Sequence, residues 1–361
     1  MRLIFIIPYP IEGPSSRFRV YQYLSHLKRL GIHCQVRPFM GSRFYKIAYQ
    51  PGKLHLKIMF FIVSTVNRIL DLAKIRGYDI VIIHREAFPF GPPIFEWIVA
   101  KVIGKPCIYD FDDAIYLKET SPHNKIVDFL KSPSKTAKIM KMCKYIIAGN
   151  SFLGDYTQRF NDKVAVIPTP VDTERYCPQP KVKQSNTVTA GWIGSHTTSE
   201  YLLPLRPVFS KLKEKNLRLE IKLVGLGGLV NSFPEATCVN WKLEDEISVF
   251  RSFDIGIMPL PDTQWAKGKC GFKIIQYMAF GIPVVCSPIG VNKEIVIEGY
   301  NGIFAESEEE WLQAIQKLID DKELREKLGQ NGRDTVEGKY SLKVMIPLFE
   351  DVINQIYKER R

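Results

Sequence analysis

Gly268-Lys269-Cys270-Gly271-Phe272-Lys273-Ile274-Ile275-Gln276-Tyr277-Met278-Ala279-Phe280-Gly281-Ile282-Pro283-Val284-Val285 reads as a glycine-bearing loop, a short helix and a buried strand. Gly281 is spaced to end the helix, and Pro283 prevents its continuation. Glycines ahead of a helix let a ligand approach the backbone, and the helix start offers free N–H groups and partial positive charge. Lys269 precedes the helix and Lys273 lies in its first turn. Lysines there oppose the helix dipole at about 0.3–1 kcal/mol each, a cost that a bound diphosphate would offset. Gln276 follows Lys273 by three residues and shares its face. A lysine for phosphate and an amide for sugar hydroxyls is a coherent pairing. On this chemistry alone, a helix with two solvated lysines accounts for the segment equally well.

The same strand–helix grammar extends outward. Apolar runs at 3–7, 33–37, 80–83, 107–109, 145–148 and 164–167 read as strands covered on both faces. Helical patterns fall near 16–30, 53–76, 92–103, 123–143 and 151–160, the last with Asn150 as N-cap. Prolines and polar residues gather over 168–187, and the alternation then restarts. Strands are expected at 188–193, 219–224, 237–240, 254–258, 283–286 and 302–304. Helices are expected at 198–215, 244–252, 271–280, 291–297, 307–320, 322–336 and 341–358. The fold class is α/β: two tandem Rossmann-like domains facing a central cleft. The first covers 1–170, a linker 171–187 and the second 188–340, with the terminal helix 341–361 packing back on the first.

A chain of 361 residues suits about two domains. With 45% hydrophobic and 24% charged residues it is globular, which excludes disordered and fibrous classes. No apolar run reaches the roughly 20 residues of a membrane span, and the start, residues 1–8, fits a buried strand better than a signal peptide. The seven cysteines are odd in number and never at C-x-x-C spacing, against a disulfide framework or structural zinc. A reducing cytoplasm is the simplest compartment. The net charge of +12 favours anionic partners.

Other segments carry weaker signals. Gly191-Trp192-Ile193-Gly194-Ser195-His196 and Val224-Gly225-Leu226-Gly227-Gly228 each follow a strand, as ordinary turns also do. Asp110-Phe111-Asp112-Asp113 puts three carboxylates at a strand's carboxyl end, where burial requires partners. Acceptor orientation, proton acceptance, metal binding and helix capping are all open to Asp112 and Asp113. Arg85, after the third strand, and Arg17, in the loop after the first, point the same way, although Arg17 also suits a plain surface position. No Ser/His/Asp or Cys/His set is apparent.

Taken together, 254–260, 271–285 and 287–302, with Val166-Ile167-Pro168-Thr169-Pro170-Val171-Asp172, resemble the group 1 glycosyltransferases (family 4), over nearly the whole chain. The resemblance implies the GT-B fold and transfer of a sugar from a nucleotide-sugar donor with retention, without a metal or other cofactor. It implies donor contacts at Gly194, Ser195, Lys269, Gly271, Phe272, Lys273, Gln276 and Glu294, with the base near Trp241 and Lys242. Asp112, Asp113, Arg85 and Arg17 would serve the acceptor and the chemistry. The chain departs from the family's E-x7-E pair, having Gly268 and Gln276; the lost sugar contact would move, for instance, to Asp262. The family's basic pair after the first strand of the second domain is also missing, and Lys267, Lys269 and Lys273 are its substitutes.

By analogy the acceptor is a saccharide or lipid-linked molecule of cell-envelope polysaccharide or glycolipid synthesis. Helix 53–76 carries an apolar stripe, Met59, Ile62, Val63, Val66, Leu70 and Ala73. The opposite side mixes Lys57, Phe61, Arg68, Leu72 and Ile75. That mixed side suits an anionic membrane on the inner face of the cell membrane, and equally a helix packed on two sides. Interleaved basic and aromatic surface for nucleic acid is absent. A nucleotide-sugar 2-epimerase of the same fold, or an inactive nucleotide-sugar-binding protein, remain the rival readings.

Overall fold

The computed structural model describes residues 1–48, 50, 52–117, 134–179, 187–195 and 197–359. It divides into two compact units: Met1–Pro170 with Gly268–Cys270 and Met345–Arg361, and Val171–Lys267 with Gly271–Val344.

The first unit holds a six-stranded sheet of β1 (Arg2–Ile7), β2 (His33–Pro38), β3 (Ile80–His84), β4 (Cys107–Phe111), β5 (Tyr145–Ala148) and β6 (Val164–Val166). Its order is β2-β1-β3-β4-β5-β6, every neighbouring pair parallel. The apolar residues of β1, β3 and β4 are almost wholly buried, as strands covered by helices on both faces must be. The strand order reverses between β1 and β3, and ligands of such sheets bind beyond the carboxyl ends at that reversal.

The second unit repeats the scheme with β7 (Val188–Ile193), β8 (Leu219–Val224), β9 (Thr237–Val239), β10 (Ile255–Met258), β11 (Val284–Cys286) and β12 (Gly302–Phe304). Its order is β12-β11-β10-β7-β8-β9, with the reversal between β7 and β10. Its core joins Trp192, Phe209, Leu223, Ile257 and Val285 with Trp311 and Ile315 of helix Glu308–Asp320. That helix begins in a capping box, Ser307 bonded to the Glu310 N–H and the Glu310 side chain to the Ser307 N–H.

The helix map adds Ser42–Ala48, Gln264–Lys267 and a 3-10 turn Gly227–Ser232 to the pattern-based one, turns 92–103 into Ile94–Trp97 and a π-helix Ile98–Val102, and alters three further runs. The run 16–30 is broken into Pro14–Arg19, a 3-10 turn Tyr21–Tyr23 and Leu24–Arg29, because Val20 leaves helical geometry at φ −130°, ψ −62°. The run 198–215 opens as a 3-10 helix, Ser199–Leu205, before Arg206–Lys215; Pro204 and Pro207 each remove a backbone donor. Within 123–143 the structure describes helix Lys135–Met142, and 118–133 lie outside the described residues, as do 180–186 of the linker region.

Helix Leu54–Ile75 overturns the assignment of its faces. The mixed side is the one that packs. Phe61 meets Phe39, Phe88 and Phe90 edge-on or tilted at 5.5–5.6 Å. Arg68 is buried and donates to the carbonyls of Ile7 and Arg37, both at 3.0 Å, beside Asp71. Those carbonyls lie at the ends of β1 and β2, and that of Ile7 also accepts from the Phe39 N–H at 2.8 Å, so Arg68 ties the helix to both strand ends. The apolar stripe points to solvent, with Ile62, Val63, Val66 and Leu70 at least half exposed.

Candidate functional site

In the second unit Gly194, Ser195 and Lys273 lie at the β7–β10 reversal, while Lys269, another expected donor residue, belongs to the first unit. Gly194 follows β7, and a Cβ there would meet the Trp192 ring at 2.3 Å and Thr198 Oγ1 at 2.9 Å. Gly225 follows β8 with φ +85°, and its Cβ would fall 2.2 Å from the Gly194 carbonyl oxygen. The approach to the Gly194 carbonyl explains glycine at 225, and the Trp192 ring with Thr198 explains it at 194. Trp241, after β9, lies alongside Gly225 and donates from Nε1 to Glu246 at 3.2 Å. Lys242 beside it is exposed. Ser195 shares hydroxyl contact with Thr197 at 2.8 Å, and its carbonyl accepts from the Thr198 and Ser199 N–H groups.

Helix Phe272–Ala279 starts at Gly271, whose φ of +60° favours glycine. A Cβ at Gly271 would press on Ile295 at 2.5 Å, so helix Asn292–Ile295, which carries Glu294, packs against this start. The helix ends as the sequence indicates: Gly281 at φ +67°, its N–H on the Met278 carbonyl and that of Ile282 on Tyr277, the two bonds of a Schellman cap. Lys273 reaches back across the unit. Its Nζ donates to Thr198 Oγ1 at 3.2 Å and stands 4.8 Å from the centre of the Trp192 ring. The cation thus arrives, from another element, at the loop where the sequence lacks a basic pair. Gln276 lies one turn further on and is buried. Lys267 instead pairs with Asp262 at 2.7 Å. Glu294 is exposed, near enough to Tyr340 to add to the effect of burial in raising that phenol's pKa.

In the first unit a second cluster occupies the β1–β3 reversal. Asp110 closes β4 and is bound by Arg19 through Nε at 3.2 Å and through Nη2, and by His84 Nδ1 at 2.6 Å. Burial pushes the Asp110 pKa up, but Arg19 and His84 more than offset it, and the carboxyl sits below its ordinary range. Arg85 reaches Asp112 at 2.7 Å and also binds Asp113. Burial again opposes, yet Arg85 holds Asp112 well below the usual carboxylate range. Arg85 has φ +60°, a left-handed backbone that costs a non-glycine residue about 1 kcal/mol or more and is sustained here by its two carboxylate partners. The sequence-predicted trio Asp112, Asp113 and Arg85 is thus one ionic group. Arg17 is buried, over the Phe18 ring at 4.6 Å, and is no surface residue. Burial raises the Tyr45 phenol to about 12 against the opposing influence of Arg17 and Arg85, which puts both cations near that ring.

Sequence reading gives no role to Ser15 or His84 and places Asp110 only among three carboxylates needing partners; a Ser/His/Asp set, not apparent there, is present in the structure. Ser15 Oγ stands 2.6 Å from His84 Nε2, and His84 Nδ1 2.6 Å from Asp110. The distances are those of a serine relay, but Ser15 also donates to Asp112 at 2.7 Å. One hydroxyl proton cannot serve both acceptors. Asp112 therefore competes with His84 for that proton, whereas in a catalytic relay the imidazole is its sole acceptor. Ser15 comes from helix Pro14–Arg19 and His84 and Asp110 from β3 and β4, 69 and 26 positions apart, which no local spacing could reveal. Among the described residues no group of three His, Cys, Asp or Glu is arranged to hold a metal ion.

Residues 208–335 match the family model of glycosyl transferases group 1. The capsular polysaccharide biosynthesis glycosyltransferase CapM of Staphylococcus aureus is 22% identical over 284 residues, 73% of this chain and 67% of that protein. The uncharacterized glycosyltransferase MJ1178 of Methanocaldococcus jannaschii is 29% identical over 134 residues, 33% of this chain and 36% of its own. Among solved structures, sucrose-phosphate synthase (tll1590) from Thermosynechococcus elongatus has a TM-score of 0.74 at 13% identity, covering 99% of this chain and 100% of its own. Anabaena Alr3699/HepE in complex with UDP-glucose has 0.71 at 13% identity, covering 98% and 100%. The second unit carries a group 1 glycosyltransferase domain, and the chain is a glycosyltransferase of the GT-B fold.

Proposed function

We propose that the chain transfers a sugar, with retention, from a nucleotide-sugar donor to a hydroxyl of a saccharide or lipid-linked acceptor in cell-envelope polysaccharide or glycolipid synthesis, at the inner face of the membrane. The observation that carries the donor half is the Lys273 ammonium, 3.2 Å from Thr198 at the β7 loop and rooted in the first turn of helix Phe272–Ala279. A cation and a helix start at a sheet's reversal point suit a diphosphate. Support comes also from HepE, solved with UDP-glucose, and from CapM, named for capsular polysaccharide biosynthesis.

In this reading Trp241 and Lys242 flank the base, Gln276 takes ribose hydroxyls, and Lys269, Lys273 and the N–H groups of Gly271 and Phe272 hold the diphosphate, with Gly194, Ser195 and Glu294 completing the donor contacts. The anomeric C–O bond to phosphate breaks as the acceptor oxygen bonds to the same face of that carbon. The acceptor proton passes to the departing phosphate oxygen, so neither a protein nucleophile nor a metal is required. Asp112, Asp113, Arg85 and Arg17 orient the acceptor. Such chemistry needs positioning and stabilisation of the departing charge more than covalent participation.

The test is a nucleotide-sugar panel screened by thermal shift, then product analysis with lipid-extract and saccharide acceptors. Acceptor-dependent product with the donor's anomeric configuration is expected. Inversion overturns retention, and conversion of the donor sugar without acceptor points to an epimerase.

A further inference from the structure

We infer that the outward face of helix Leu54–Ile75, with the neighbouring helix Ile94–Trp97, lies on an anionic lipid surface. At about 100° per residue, Ile58, Ile62, Val63, Val66, Ile69 and Leu70 span an arc of roughly 140°, on a helix about 33 Å long. Each is half exposed or more, Ile69 at 59%. This arc is opposite the packed face of Phe61, Arg68 and Ile75, so it is the side left over after the core is built.

The segment around helix Ile94–Trp97 packs against the inner face of the long helix and has exposed apolar residues of its own. Phe88 and Phe90, just before it, touch Phe61; Phe95 lies 5.7 Å from the Arg68 guanidinium; and Lys105, just after it, donates to the carbonyls of Arg76 and Tyr78 at 2.8 and 2.6 Å. A π-helix, Ile98–Val102, continues the short helix. Ile94, Trp97 and Val102 are 51–63% exposed.

Charge selects the occupant. Across 53–76 and 91–105 the only acidic residues are Asp71 and Glu96, both buried at 2% or less. The exposed charges, Lys53, Lys74, Arg76 and Lys101, are all positive. A second copy of the same face would set those cations against each other, whereas anionic headgroups complement them. Aliphatic side chains between basic residues, with one exposed tryptophan, match a helix lying in the interface plane. No described helix is long and apolar enough to cross a membrane, so this face lies on the bilayer. The inference deepens the proposed function, and rests on it only for the purpose of the contact: a lipid-linked acceptor is met where it resides.

The test is flotation of the full chain with phosphatidylcholine vesicles, with and without 30 mol% phosphatidylglycerol. Binding to the anionic vesicles at least tenfold above the neutral ones, weakened by 0.5 M salt, is expected. The double variant Ile62→Gln/Ile69→Gln, on exposed positions, should lose at least tenfold in vesicle binding while keeping its thermal midpoint and UDP affinity. Lys74→Gln/Lys101→Gln should narrow the difference between the two lipids. No flotation, flotation indifferent to both variants, or a concentration-dependent dimer that the glutamine pair dissolves would each overturn the inference. Intact UDP binding without flotation sinks the membrane contact alone. Flotation without binding of any nucleotide sugar sinks the donor reading instead.

Discussion

Replacing Lys273 with methionine separates the two roles that the structure gives this side chain. Methionine keeps an unbranched stem for the Trp192 ring and removes the ammonium that stands 3.2 Å from Thr198 Oγ1. If that charge holds a phosphate, the loss is that of one charge-assisted hydrogen bond, about 1.5–3 kcal/mol. That range corresponds to roughly 10- to 150-fold in Kd. Uridine carries no phosphate and should lose less than about twofold. The cation–ring contact contributes about 0.5–1 kcal/mol to folding, so the thermal midpoint should fall only slightly. Calorimetric titration of wild type and Lys273→Met with UDP and with uridine, at 50 and 300 mM salt, reads all of this. The UDP penalty should shrink at the higher salt, because screening already weakens the contact in the wild type. Equal losses for UDP and uridine would mean that Lys273 only shapes the loop, and an unchanged UDP affinity would remove it from the site.

Asp110→Asn should cost about 3–5 kcal/mol in urea unfolding, since it leaves the buried Arg19 without its carboxylate. Asp110 and Asp112 have folded pKa values depressed by Arg19 and Arg85 against the opposing effect of burial. Their stabilisation is therefore complete above the ordinary carboxylate range and lost as pH falls through the folded values. Wild type should lose stability steeply below about pH 4, Asp110→Asn less so, and parallel acid slopes would contradict the assignment. Gly225→Ala, which would drive a Cβ to 2.2 Å from the Gly194 oxygen, should lower UDP affinity at least tenfold with the far-UV circular dichroism unchanged; an unaffected affinity would separate that loop from the donor. Ser15→Ala should slow transfer by at most about a hundredfold, whereas loss of a true nucleophile costs about 10⁶; abolished turnover with intact UDP binding would restore the serine to a covalent role.

The fold was legible because parallel strands buried on both faces announce themselves as unbroken apolar runs, and all twelve strands fall within a few residues of their expected positions. Asn150 caps its helix through the Leu153 N–H at 2.8 Å, and Gly281 ends another, both as local rules require. What eluded reading was non-local. Nothing near Ser15 or His84 says that helix Pro14–Arg19 and β3 deliver them to one point. The orientation of helix Leu54–Ile75 failed for a related reason. Periodicity located its apolar stripe correctly, but burial was decided by Arg68 and Asp71, whose hydrogen bonds inside the fold no count of hydrophobic residues includes. The position of Lys273 was legible, whereas its partners Thr198 and Trp192, about eighty residues earlier, were not.

The two clusters differ in charge, which supports the proposed division of ligands between them. In the first unit, two guanidinium groups, Arg19 and Arg85, face three carboxylates, Asp110, Asp112 and Asp113. These five groups sum to −1. The carboxylates already occupy the arginine forks, so a diphosphate arriving there would have to displace them and would meet their repulsion. A neutral hydroxyl would not: carboxylate oxygens accept from it, and Ser15, which bonds both His84 and Asp112, shows that the cluster can hold one. In the second unit Lys273 stands against a neutral hydroxyl and an aromatic face, beside a helix start whose N–H groups add positive potential. An anion is favoured there and a proton-bearing hydroxyl gains little. The charge balance therefore supports the proposed reading, with the diphosphate at the second unit's cluster and the accepting hydroxyl at the first unit's, independently of the overall chain charge of +12.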